Sequence, residues 1–592
     1  MKRRRTNNKS QKRGSWLLLV IFLCQLAIVT KLYYWQIIKG KELKAQVVKQ
    51  SERIITKFGQ RGKIFTSDNK LLVSNKELFH LYVDKRNLEI SNDELANRIS
   101  EILVKKEAAD NEIQSENENE VSLSQEELKT KLIEKLESQK KWLHLSSNID
   151  PETKEQISEI KSNGLYLENY YSRHYPESSM AANITGFVGK NENGEDIGYF
   201  GIEGQLNKEL EGKKRQIIAQ TDAIGTKISS HQFSNDSLNG RDIVLTIRRD
   251  IQYLAETMLK QGIEKYGAAA GEIVIMETKT GKILALANEP KYDQARYSKY
   301  DNDLYRNPSV SSIYEPGSTF KVITMAAGID LGVIDSTTVC TRCSNSRTIS
   351  GYTIKTYNEE YHPNITMEDA LVKSDNIALI FAAEKVGSDN FKKYVEKFGI
   401  GEKIHIELQE DTESPLPKYW TPLKLATSSF GQGISTTSMQ LVRAVNAIAN
   451  GGKMIRPYLI DKIIDHQSNN EIVTETIVEE VSISEETAQK VTAMMIQSAH
   501  PVEKKKWGDN SYFVAGKTGT AQIPSKDGGY QEDSTIGSFI AFAPADDPEF
   551  TMLVKIVRPT ATPWGSTTAG PLWFDVADQL LLHLNIQRET AS

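Results

Sequence analysis

The sequence predicts an α+β fold behind a single N-terminal membrane helix. Three observations carry this: an apolar run of spanning length after a basic terminus, short alternating apolar runs near residues 271–287 and 512–557, and a long, mainly helical stretch between them. An antiparallel sheet with helices on its faces, plus a helical subdomain holding the middle of the chain, is the architecture such segments form. At 592 residues and 39% hydrophobic content the chain is long enough for at least two cores. Its 73 basic and 78 acidic residues leave a net charge of −5, which excludes the basic footprint of a nucleic-acid binder.

The elements follow in order. Lys2, Arg3, Arg4, Arg5, Lys9, Lys12 and Arg13 make residues 1–15 a cytoplasmic basic tail. Trp16 to Thr30, resuming after Lys31 to Ile38, supplies the roughly 20 residues that cross a bilayer, so 16–38 reads as a transmembrane anchor. Lys31 snorkels to the interface, and Tyr33, Tyr34 and Trp35 form an aromatic anchor. The run is long for a signal peptide and no small-x-small site follows it, so the anchor is retained and the rest of the chain lies outside the cytoplasm.

Lys39 to Thr56 reads as a polar helical stalk, and Gln60 to Leu72 as two short strands about an Asp68-Asn69 turn. The segment 105–127, rich in Glu, Asn, Ser and Gln, cannot bury enough surface to fold alone and reads as a solvated insertion or helical arm. Tyr175 to Gly212 alternates glycine with small apolar residues, which predicts loops and short extended pieces. A boundary falls in the polar stretch Asn235 to Gly240, before the strand Asp242–Ile247 and a helix starting at Arg249 or Asp250. Strands are predicted at Gly271–Met276, Lys282–Ala287, Tyr512–Ala521, Ser538–Ala543 and Phe550–Val557, and a final helix at Leu572–Leu582. Of three cysteines, Cys24 lies in the membrane span; Cys340 and Cys343 read as a local disulfide or two free thiols, since two thiolates cannot complete a zinc site.

Three strings occur in one order: Ser318-Thr319-Phe320-Lys321, Ser374-Asp375-Asn376 and Lys517-Thr518-Gly519-Thr520. Singly they carry little, because Ser-x-x-Lys recurs at Ser67, Ser138 and Ser158, and Lys-Thr-Gly at Lys279, where it reads as a hairpin turn. Order and setting separate the set from these copies. Glu315-Pro316-Gly317 closes a loop and an apolar run follows, so Ser318 starts a helix whose free N–H groups and dipole favour an oxyanion. Lys321 is one turn along on the same face, placed to take the Ser318 proton as general base once desolvated near another cation.

Ser374 and Asn376 interrupt two helical runs, the serine to relay a proton and the amide to hold Lys321 and a substrate carbonyl. Lys517 puts positive charge on a strand, suited to a terminal carboxylate; Thr518 and Thr520 add hydroxyls, and Gly519 clears the edge for a peptide. The backbone N–H groups of Ser318 and Thr520 would form the oxyanion hole. The bland readings are a helix cap with an exposed lysine, an Asx turn, and an edge lysine that deters aggregation. The ordered set outweighs them. No metal or cofactor is called for: His-Glu-x-x-His and phosphate-loop patterns are missing and the nine histidines are scattered.

With these residues the chain resembles class B penicillin-binding proteins, monofunctional D,D-transpeptidases that cross-link peptidoglycan. The likeness also runs through Arg61-Gly62, Arg173-His174-Tyr175-Pro176, Gly201-Ile202-Glu203-Gly204, Leu245-Thr246-Ile247, Phe430-Gly431-Gln432-Gly433 and Thr437-Ser438-Met439-Gln440-Leu441. It implies an elongated mixed pedestal (dimerisation) domain at 39–238 and a penicillin-binding transpeptidase domain at 239–592. It further implies stem peptides ending in D-Ala-D-Ala as donors, β-lactams as mimics, and a separate membrane glycosyltransferase and divisome proteins as partners. Tyr314-Glu315-Pro316-Gly317-Ser318 and the segment Ser538 to Ala545 are more similar to the division-specific branch. The alternatives are an elongation-specific transpeptidase, a D,D-carboxypeptidase, a β-lactamase, and a β-lactam sensor or wall-assembly scaffold; no group that would activate water for fast deacylation is evident in the sequence.

Overall fold

The computed structural model describes residues 8–44, 52–113, 124–221, 227–229, 238–508, 513–525 and 528–587. Lys2 to Arg5 of the basic tail, residues 45–51 of the stalk, 114–123 of the acidic insert, Asn235 to Ser237 of the boundary stretch, and Tyr512 lie outside them. The chain forms two compact units, residues 1–59 with 212–239, and residues 60–211 with 240–592.

In the first unit a helix runs from Asn8 to Tyr33 and continues as a wider turn over Tyr34–Ile38. Among the described residues, Arg13–Ile38 is the one helix long and apolar enough to cross a membrane. Its Trp16, Leu17, Leu18 and Phe22 side chains are exposed, as lipid-facing groups are. The stalk, predicted helical as far as Thr56, ends instead in the strand Glu52–Phe58, which pairs antiparallel with Lys214–Thr221. In that register Ile54, Ile55 and Thr56 are opposite Ile218, Ile217 and Gln216, and tertiary pairing overrides the local helical reading.

The second unit holds two main sheets. One runs in the order Asn470–Val473, Ile460–Asp465, Asp242–Leu245, Ile64–Phe65, Leu71–Asp84 and Trp142–Ile149, with Leu165–His174 also paired to Leu71–Asp84. Ile64 and Phe65 pair in parallel with Ile243 and Val244, so strands from both sides of residue 239 share it. The predicted Asp68-Asn69 turn is present, with Asn69 in the left-handed region at φ 57. Helices Asn92–Ile113 and Gln125–Glu137 flank the acidic insert as an arm; Leu95, Ile99 and Leu103 pack with Leu132 and Leu136 over Leu81 and Val83. Ser124 caps the second helix in a reciprocal capping box with Glu127.

The Tyr175–Gly212 segment contains the strands Phe187–Lys190 and Asp196–Tyr199, and also short helices at Ala182–Thr185, Gly201–Gln205 and Asn207–Leu210 that sequence did not predict. Helices of four or five residues are too short to show a helical period. Here three of the family-like segments meet: buried Glu203 accepts from Arg61 Nε at 2.6 Å and from Arg173 Nε at 2.6 Å.

The other sheet is antiparallel throughout, in the order Ile283–Glu289, Ala270–Glu277, Phe550–Val557, Tyr530–Ala543 and Ala515–Pro524. The Lys279-Thr280-Gly281 hairpin turn is present, with Gly281 at φ +84 where a side chain would be strained. Helices Arg249–Tyr266 and Ala569–His583 cover one face, burying Leu259, Trp573 and Phe574 against Phe539 and Val554. The helical middle covers the other, with Phe320, Val322 and Val445 against Ile540, Phe542 and Leu553. Cys340 and Cys343 form a disulfide in that helical middle.

Candidate active site

Ser318 lies in a tight turn, Gly317–Phe320, that runs directly into the helix Lys321–Asp330. Gly317 makes this turn possible: its φ is +57, and a Cβ there would stand 3.0 Å from the Thr520 carbonyl oxygen and 3.2 Å from Ala521 Cβ. Its N–H donates to the Gly431 carbonyl at 3.0 Å, so the Phe430–Gly433 segment backs the turn. The turn therefore lies flat against the strand Ala515–Pro524, the edge of its sheet. Gly317, next to Ser318, approaches the Thr520 carbonyl, so the two expected oxyanion donors belong to segments that touch.

Lys321 is fully buried. Its Nζ donates to the Ser374 carbonyl at 2.5 Å, to Ser374 Oγ at 3.1 Å and to Asn376 Oδ1 at 2.8 Å. These are three neutral acceptors for three N–H donors. Burial, and then the charge of Lys517, push the Lys321 amine well below the usual lysine range, while Asp375 acts the other way. A lysine so placed sheds its proton far more readily than one in water.

Ser374 occupies the predicted break, between helices Met367–Val372 and Asn376–Val386, and takes the left-handed conformation at φ 56. That strained residue turns the chain so that its own carbonyl and hydroxyl both face Lys321. Asp375, to which sequence gave no role, caps the second helix by accepting from Ile377 and Ala378 N–H at 2.8 and 3.0 Å. Asn376 faces Lys321 with its oxygen and gives its amide nitrogen to the Lys355 carbonyl at 3.2 Å.

Lys517 is 1% exposed. Its Nζ donates to the Thr518 carbonyl at 3.2 Å and more weakly to Thr518 Oγ1 at 3.4 Å, and burial lowers its pKa to about 8. Thr520 Oγ1 accepts from the Gly565 N–H at 3.0 Å. Gly519 is where the expectation and the packing differ most. A Cβ there would meet Ser538 Oγ at 2.5 Å and Thr319 Cγ2 at 2.8 Å, so the space it leaves is filled by the protein, and the glycine serves the close approach of strand to turn.

Several residues here had no assignment from sequence. Glu315 Oε1 accepts from the Gly433 N–H at 2.7 Å and its Oε2 from the Tyr530 hydroxyl at 3.0 Å, tying together three segments around Ser318. Burial raises the Glu315 carboxyl above its ordinary range. Tyr357, beside Lys355, meets Trp564, beside Gly565, edge to face with ring centres 4.5 Å apart. This aromatic pair joins the Asn376 side of the cleft to the Thr520 side. Nothing in the spacing of 357 and 564 signals it, because the contact exists only after the antiparallel sheet and the helical middle have packed.

Residues 271–580 match the family model of the penicillin-binding protein transpeptidase domain, and residues 56–245 match that of the penicillin-binding protein dimerisation domain. Stage V sporulation protein D of Bacillus subtilis is 29% identical over 589 residues, covering 98% of this chain and 87% of the relative. Peptidoglycan D,D-transpeptidase FtsI of Buchnera aphidicola is 28% identical over 455 residues, 75% of this chain and 76% of that one. Penicillin-binding protein 2X from Streptococcus thermophilus superposes with a TM-score of 0.72 at 22% identity, covering 90% of this chain and 80% of that structure. Penicillin-binding protein 3 from Mycobacterium tuberculosis, complexed with aztreonam, gives 0.66 at 22% identity over 91% of this chain and all of that one.

Proposed function

The chain belongs to the penicillin-binding proteins that carry a transpeptidase domain, and on that premise we propose that it is a peptidoglycan D,D-transpeptidase with Ser318 as its nucleophile. The observation that carries the assignment is the buried Lys321 amine, held by Ser374 and Asn376 and shifted toward its neutral form. A neutral amine accepts the Ser318 proton, and the alkoxide attacks the carbonyl of the penultimate D-alanine. The tetrahedral oxyanion rests on the N–H groups of Ser318 and Thr520. Ser374 passes the proton from Lys321 to the departing D-alanine amine, which breaks the peptide bond and leaves the acyl group on Ser318. Lys517 holds the terminal carboxylate of the donor, with Thr518 and Thr520 beside it. An amine on a neighbouring stem then takes the acyl group by the reverse proton path. A β-lactam enters as the donor does and stays as the acyl form.

The apolar Arg13–Ile38 helix supports single-pass anchoring, with a cytoplasmic N-terminus and both further domains, 39–238 and 239–592, outside the cytoplasm. The wall made is septal: the segments about Ser318 and Ser538 to Ala545 favour this, as do relatives named FtsI, and glycan polymerisation falls to a separate membrane glycosyltransferase among divisome partners. A spore-specific wall enzyme is the second reading, favoured by the likeness to stage V sporulation protein D over 98% of the chain. Depletion separates them: growing cells become filaments in the first case and divide normally in the second. The chemistry is tested by labelling membranes with a fluorescent penicillin. Ser318→Ala is expected to remove the band; a band of wild-type strength means another nucleophile.

A further inference from the structure

The strand Leu71–Asp84 and its two neighbours, Trp142–Ile149 and Leu165–His174, bury one face and leave the other in water. Phe79, Leu81 and Val83 point into the core beneath the helical arm, so the alternate positions turn outward. Two of those positions, His80 and Tyr82, are aromatic, and Trp142, His144, Tyr166 and Tyr170 of the neighbouring strands lie around them, His144 and Tyr166 directly opposite Tyr82. Their rings make one connected array. His80 stacks on Tyr170 with centres 4.0 Å apart and meets His144 at 5.4 Å; Tyr82 meets His144 at 5.3 Å and stacks on Trp142 at 5.7 Å; Trp142 tilts against Tyr166 at 5.0 Å. Trp142 is 48% exposed and Tyr166 41%.

Polar groups run through the array. Ser147 Oγ lies 2.9 Å from His80 Nδ1 and 2.8 Å from His144 Nε2, and the Tyr170 hydroxyl donates to Asn148 Oδ1 at 2.5 Å. Glu168 is paired across the sheet with His80. Burial and then His144 hold His80 below its ordinary pKa, which favours the neutral ring.

Aromatic cross-strand pairs stabilise any sheet, but a buried core already serves the opposite face of this one, and a ring array with Trp142, His144 and Tyr166 exposed is the kind of surface patch that marks an interaction site. Flat π faces take the polarised C–H groups of a sugar ring, while neighbouring hydroxyl, amide and carboxylate groups take its hydroxyls. An apolar helix laid here would bury the Glu168 carboxylate and offer it no partner. We propose that this sheet face is a carbohydrate platform that holds the glycan backbone of peptidoglycan. The choice of glycan rests on the D,D-transpeptidase reading, because the stem peptides that the cleft would join hang from that backbone.

The test uses the full-length protein in detergent and beads carrying peptidoglycan glycan strands stripped of stem peptides by amidase. Wild type is expected to be retained on these beads and not on dextran beads. Trp142→Ala with Tyr166→Ala is expected to bind about tenfold more weakly or worse, as loss of two ring contacts predicts, whereas Trp142→Phe keeps most of the binding. All three proteins should be acylated by fluorescent penicillin at the same rate. In wild type, soluble glycan strands should also shield Trp142 from oxidation by N-bromosuccinimide, a readout that needs no variant. The proposal is overturned by wild type that binds no better than to dextran, by a double variant that binds as wild type, by an unshielded Trp142, or by the array serving self-association, seen as a dimer in sedimentation that the double variant breaks while glycan retention is unchanged. Wild-type penicillin labelling of Ser318→Ala would instead sink the transpeptidase reading and leave the glycan measurements as they stand.

Discussion

Two groups of buried charge in the second unit are built on opposite plans. At the cleft, Lys321 and Lys517 are both at most 1% exposed, and their hydrogen-bond partners are neutral oxygens of Ser374, Asn376 and Thr518. In the pedestal segment, buried Glu203 lies between two guanidinium groups, Arg61 and Arg173. A buried cation given only neutral acceptors is driven toward its uncharged form, which costs stability and yields a base. A buried carboxylate given two cations is fully compensated and yields registry among three distant segments. Burial alone therefore does not mark a reactive site; burial with only neutral hydrogen-bond partners does.

Loss of the Lys321 amine should strike chemistry and spare the fold. Lys321→Ala is expected to slow acylation by a β-lactam by about 10²- to 10⁴-fold, the usual worth of a general base. Its thermal midpoint should equal or exceed that of wild type, because the desolvated amine is gone. A stopped-flow acylation rate within a few fold of wild type would remove Lys321 from the mechanism.

Glu203→Ala should show the reverse. It leaves Arg61 and Arg173 buried without their partner, at a cost of about 3–5 kcal/mol, so the urea midpoint falls sharply while the acylation rate per folded molecule is kept. If stability is unchanged and acylation falls, the cluster serves the cleft and not the registry of the three segments.

A smaller effect sharpens the same contrast through pH. Lys321 must be neutral to accept a proton, so acylation rises as pH passes its depressed pKa. Lys517 must be charged to hold a carboxylate, so KM for a donor peptide rises above about 8, approaching about tenfold per pH unit. Each lysine binds its proton more weakly when folded, so below the folded pKa both states hold the proton and the full penalty applies. Between about 8 and the ordinary lysine range the unfolded chain holds more protons at Lys517, and stability climbs with pH. A KM that stays flat through that range would take the carboxylate role away from Lys517.

Much of this was legible in residue order. The turn-helix start at Ser318, the one-turn offset of Lys321, the break at Ser374, the Lys279 hairpin and the strand Phe550–Val557 are local features, set by periodicity, turn chemistry and helix geometry. What was misread or missed depends on partners far along the chain. The stalk became a strand at Glu52–Phe58 because Lys214–Thr221 pairs with it, and Asp375 became a helix cap while its neighbours faced the lysine.

By itself, then, the sequence determined which groups are available for chemistry, in what order, and that an apolar helix precedes them. Only the tertiary structure decided that Gly519 serves a strand pressed onto the Ser318 turn, that Arg61, Arg173 and Glu203 meet, that Tyr357 reaches Trp564, and that six rings share one sheet face. The reason is physical: backbone preference acts over a few residues and can be read from them, whereas close packing and desolvation depend on every group that comes to rest nearby, and those arrive from hundreds of positions away.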